Sequence, residues 1–66
     1  MQELNSKEKK VLKLICQGLS STQIGELINK SPRTVEGYRS NLYEKLGVKN
    51  KIELIAFAFK HGLESD

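Results

Sequence analysis

A chain of 66 residues forms one domain at most, and at that length folding buries only about 60% of the surface the unfolded chain exposes. Its single cysteine, Cys16, excludes an internal disulfide and suits a reducing compartment; no cysteine and histidine spacing fits zinc, and no signal peptide, lipidation motif or membrane-length apolar run is present. The net charge of +3 permits a polyanionic partner, and it is concentrated: between Lys30 and Lys51 six basic residues stand against two acidic ones, while the rest of the chain is net −1.

The first helix is marked by Asn5 and Glu8, an N-cap and its reciprocal partner three residues on, and runs to about Gln17. Val11, Leu12, Leu14 and Ile15 recur at helical spacing, Gly18 is the stop, and Leu19 is placed to fold back on the helix end. Lys7, Lys9, Lys10 and Lys13 read as a solvated face or as phosphate contacts, and Cys16 reads as packing. Ser20 and Gln23 repeat the capping device before a short helix with Ile24, Leu27 and Ile28 on its inner edge. Gly25 sits inside that helix at a cost of about 1 kcal/mol relative to alanine, which reads as close approach of the neighbouring helix or as a merely tolerated glycine. Only Asn29 to Ser31 remain for the next connection, and two short helices joined so tightly are the arrangement of a helix-turn-helix.

Ser31 caps the third helix, Pro32 fits its first position, and Gly47 suits its left-handed close. At about 100° per residue, Val35, Tyr38, Leu42 and Leu46 form the packing edge. Arg33, Glu36, Gly37, Ser40 and Glu44 lie opposite; Thr34, Asn41 and Lys45 flank one border, Arg39 and Tyr43 the other. Short side chains near the helix start allow close approach to base edges in a major groove, and longer donors at the borders reach phosphates. Glu36 either accepts from a cytosine amino group or stabilises the helix dipole.

The fourth helix has Asn50 as cap, Glu53 three residues on, and Gly62 as its stop. Leu54, Ile55, Ala58 and Gly62 form a packing edge, and Ile52, Ala56, Phe59 and Leu63 a second apolar edge that reads as a contact with another subunit. His61 reads as an exposed residue at the helix end. Neither a strand pattern nor an internal repeat is visible, so the expected fold class is all-α with four helices.

Several blocks match one family: Leu4-Asn5-x-x-Glu8, Val11-Leu12-x-Leu14-Ile15, Gly18-Leu19-Ser20, Ile24 with Leu27, Ser31-x-x-Thr34-Val35-Glu36, Lys45-Leu46-Gly47-Val48, and Leu54 with Ala58. Over nearly its full length, residues 1–66, the chain resembles the LuxR/GerE-type helix-turn-helix DNA-binding domain of bacterial transcription factors. The resemblance implies that the second and third helices, about 20–29 and 32–46, read DNA, and that the fourth, about 50–61, pairs two subunits. Base contacts would come from Glu36, Gly37 and Ser40, and phosphate contacts from Thr34, Arg39, Asn41, Lys45 and Arg33, with Ser21, Thr22 and Lys51 as lesser candidates. The dimer interface would be Ile52, Ala56, Phe59 and Leu63. Tyr38 stands where the family commonly has histidine, Gly25 where it commonly has alanine, and Gly37 offers no side chain for readout.

The expected function is sequence-specific binding of double-stranded DNA by a cytoplasmic homodimer that regulates transcription, on half-sites about one helical turn apart. Related domains commonly follow a receiver or sensor domain, and RNA polymerase is an expected partner of such regulators; a free-standing regulator fits the sequence as well. A competing expectation is a helical protein-interaction module docking through the fourth helix. No cofactor, metal or membrane partner is expected, and the lack of a nucleophile-base pair or phosphate-cradling glycine loop opposes an enzymatic role.

Overall fold

The computed structural model describes residues 4–63, which form four helices: α1 Ser6–Cys16, α2 Ser21–Ile28, α3 Pro32–Leu46 and α4 Lys51–Lys60. None of the described residues lies in a strand, and none of the helices is long and apolar enough to cross a membrane.

Each helix begins where a polar side chain replaces a missing intrahelical acceptor. Asn5 Oδ1 accepts the Glu8 N–H at 2.8 Å while Glu8 Oε1 accepts the Asn5 N–H at 3.1 Å, and Ser20 and Gln23 make the same reciprocal pair at 3.2 and 2.9 Å. Ser31 Oγ accepts the Thr34 N–H at 3.2 Å, with Pro32 in the first turn as expected. Asn50 Oδ1 accepts the Glu53 N–H at 2.9 Å, but the Glu53 carboxylate accepts from Lys49 N–H at 2.9 Å rather than closing a box on Asn50.

The helix ends turn through left-handed residues. Gly47 (φ 70°) closes α3, and Asn29 (φ 61°) closes α2, a non-glycine whose short amide side chain tolerates that region. From Asn29 the chain reverses so tightly that the Lys30 N–H donates to the Gly25 carbonyl at 2.8 Å, and a Cβ added at Gly25 would overlap the Lys30 carbonyl oxygen. The close approach expected from the neighbouring helix comes instead from the backbone of the turn itself, and the glycine sets how near α3 starts to α2.

Val11, Leu12 and Ile15 from α1, Ile24 from α2, Val35, Leu42 and Leu46 from α3, and Leu54 and Ala58 from α4 make the buried core. α1 packs on all three other helices, α2 chiefly on α3, and α4 on α1 and α3 without touching α2. Of the helix-turn-helix pair, α2 thus lies away from α4 while α3 packs on it.

Two sequence expectations about packing are corrected. Leu27, placed on the inner edge of α2, is 62% exposed, because the inner edge of so short a helix is satisfied by Ile24 and the half-buried Ile28. Leu63, placed on the outward edge of α4, is half-buried against the core: Gly62 (φ 69°) turns the chain back, and the Leu63 N–H donates to the Ala58 carbonyl at 2.7 Å.

Candidate nucleic-acid interface

α3 is held at depth by Val35, Leu42 and Leu46, with Tyr38 and Tyr43 half-buried beside them, and its opposite edge is therefore fixed in direction as well as in composition. Arg33, Thr34, Glu36, Gly37, Ser40 and Asn41 are exposed, and Arg39 is half-buried at the border. The three base-reading candidates, Glu36, Gly37 and Ser40, lie on one outward stripe within about a turn of helix. Nothing approaches within 4 Å of a Cβ built at Gly37, so the backbone is open to a partner there. Thr34 Oγ1 lies 3.0 Å from Ser31 Oγ, a hydroxyl pair at the helix start.

α2 brings Ser21, half-buried, and Thr22, exposed, in its first turn, where unpaired backbone N–H groups and the positive end of the helix dipole favour an anion. Lys51 is exposed in the first turn of α4. The described residues contain no cluster of carboxylates, cysteines and histidines fit to hold a metal.

Among the expected phosphate set, Lys45 also makes an ion pair within the fold. Its Nζ is 2.7 Å from Glu8 Oε1, with the lysine side chain 27% exposed and the glutamate 3% exposed. The ammonium ties the last turn of α3 to the buried Glu8 carboxylate of α1, and its three N–H donors allow a second acceptor on the exposed side. The hydrogen bond from Lys45 is the main reason the Glu8 carboxyl lies below its ordinary value of 4.5; the Asn5 N–H adds to the effect, and burial opposes it.

Glu8 is the residue whose role the sequence reading missed beyond capping. Its signal was present: Val11, Leu12 and Ile15 follow Glu8 by three, four and seven residues, the spacing of one helix edge, and all four are buried. A carboxylate on that edge demands a cationic partner from another element.

On α4, Ile52 is 79% exposed and Phe59 58% exposed, with the exposed Ala56 between them, whereas Leu54 and Ala58 are buried and Ile55 is half-buried. Leu63 belongs to the core side, so the outward apolar edge consists of Ile52, Ala56 and Phe59. His61 is exposed, and its ring lies 4.2 Å from that of Phe57.

Residues 2–58 match the family described as bacterial regulatory proteins, luxR family. The chain is 39% identical over 61 residues to the response regulator Rre1 of Synechocystis sp., covering 92% of this chain and 26% of Rre1. It is 35% identical over 60 residues to the response regulator UvrY of Escherichia coli, covering 91% of this chain and 28% of UvrY. Among solved structures, VqmA bound to DPO superposes with a TM-score of 0.93 at 34% identity, over 98% of this chain and 32% of that one. A Vibrio cholera VqmA-ligand-DNA complex superposes at 0.91 with 33% identity, over 97% of this chain and 28% of that one. The chain thus spans about a quarter to a third of the proteins it resembles.

Proposed function

Because the chain belongs to the luxR family of bacterial regulatory proteins, we propose that it binds double-stranded DNA as a homodimer and regulates transcription, with α3 of each copy in a major groove. Family membership places it among helix-turn-helix DNA-binding regulators rather than enzymes. The observation that carries the finer reading is the outward stripe of Glu36, Gly37 and Ser40 on a helix whose opposite edge is locked into the core.

In this reading Glu36 and Ser40 read base edges beside Gly37, where the backbone itself comes close. Arg33, Thr34, Arg39 and Asn41 take phosphates from the two borders of α3, with Ser21, Thr22 and Lys51 supporting them. Lys45 stays in that set while paired with Glu8. Ile52, Ala56 and Phe59 cover one another across a two-fold axis. The domain's longest extent is 27 Å, and half-sites one helical turn apart are separated by about 34 Å, so two copies are needed to engage both. The relatives' response-regulator names support a preceding receiver domain in a longer chain, with RNA polymerase as the partner through which transcription is controlled and the cytoplasm as the location.

Selection of bound duplexes from a random library tests this directly, and two related half-sites about ten base pairs apart are the expected result. If Arg33, Arg39 and Lys51 of each copy each neutralise one phosphate, about six in the dimer, the logarithm of its affinity falls against the logarithm of salt with a slope of about −5. A flat salt titration, or a selection that returns no common sequence, overturns the reading.

A further inference from the structure

The lysines of α1 do not belong to the outward stripe of α3 or to the apolar edge of α4. Lys7 and Lys10 stand with Lys30 around a groove of about 310 Å³ whose floor is Leu27, Ile28 and Tyr38. Among the described residues, every charged side chain lining it is cationic. A second hollow of about 450 Å³ shares Lys10 with it and is lined along α1 by Lys9, Lys13 and Leu14. The exposed Leu27 is explained by nothing in the core, and it lines the same groove as Lys7, Lys10 and Lys30.

We propose that this groove docks an acidic protein segment that seats one apolar side chain on Leu27, Ile28 and Tyr38 and sets its carboxylates against Lys7, Lys10 and Lys30. Charge complementarity fixes the sign of the partner, because cations without a counter-charge repel one another and an acidic chain relieves that repulsion. The apolar floor fixes its class. A DNA duplex offers phosphates on a convex surface and has no side chain to bury in a hollow, whereas an acidic peptide supplies both charge and apolar anchor. The groove is distinct from the Glu36, Gly37 and Ser40 stripe, so the docked segment and DNA are held by different residues.

A random displayed peptide library, panned on the immobilised chain, tests the proposal. Enrichment of acidic peptides carrying a leucine, isoleucine or phenylalanine is expected. Their affinity should fall about tenfold in Leu27→Ser and further in Lys10→Glu, with both variants melting as the parent does, since both side chains are exposed. Amide chemical shifts should move at Lys7, Lys10, Leu27 and Lys30. Three results overturn it: no enrichment of that pattern, enriched peptides that bind both variants undiminished, or a loss of duplex affinity in Leu27→Ser and Lys10→Glu that makes the face a DNA contact. Duplex binding by the parent chain is measured separately, so failure of the groove and failure of the DNA reading are told apart.

Discussion

Glu8 holds two elements with one carboxylate: it closes the cap of α1 through the Asn5 N–H and accepts the Lys45 ammonium of α3. Lys45→Met removes the charge and leaves a buried carboxylate with one partner fewer, at a cost of about 1 to 3 kcal/mol in urea unfolding at neutral pH. The pH dependence has a defined sign. Because the Glu8 carboxyl lies below 4.5 in the folded state, its contribution is complete above that value and is lost as pH falls through the folded pKa. The stability difference between parent and Lys45→Met should therefore narrow below about pH 4.5. A difference that stays constant into acid would show that the pair does not control the titration. Gly37 presents the opposite case, a helical glycine in open space. Gly37→Ala is expected to raise stability by about 1 kcal/mol through helix propensity and to weaken duplex binding, because its methyl occupies the space the backbone needs beside a base edge.

At the level of elements, the joint between α2 and α3 is built on an overlap that glycine alone avoids. Gly25→Val would drive its side chain into the Lys30 carbonyl, and a backbone oxygen yields less readily than a side chain. A loss of about 2 to 3 kcal/mol is expected, measured by thermal or urea melting, and it should exceed the cost of valine at an exposed helical position. The start of α4 depends on one side chain, Asn50, whose Oδ1 accepts the Glu53 N–H. Asn50→Ala should cost about 1 kcal/mol and fray the turn that carries Ile52, so dimerisation should weaken along with stability.

For the molecule as a whole, α2 and α4 do not touch, and the two proposed surfaces can be tested apart. Phe59→Asp places a charge on the outward edge of α4 without entering the core. It should leave the helical circular dichroism intact, convert dimers to monomers in sedimentation, and lower affinity for a two-half-site duplex by more than tenfold. A parent chain that sediments as a monomer on and off DNA would remove α4 as a pairing helix.

The four helices, their caps and the outward edge of α3 are legible in the residue order, because these depend on contacts three or four residues apart. Asn5 with Glu8, Ser20 with Gln23, and Ser31 with Thr34 are found in the structure as their spacing requires. The match of Val35, Leu42 and Leu46 to buried positions follows from the same periodicity. What distant residues do to one another depends on how the helices pack. Glu8 and Lys45 are 37 positions apart, and no local pattern names one as the other's partner. Leu27 and Leu63 obey helical spacing as well as their neighbours do, yet one is left outside and the other drawn in, because burial depends on where the other helices run out of surface to offer. The basic groove beside Leu27 has the same origin: α1, α2 with the turn after it, and the middle of α3 each contribute part of it, and only their packing makes it a single surface.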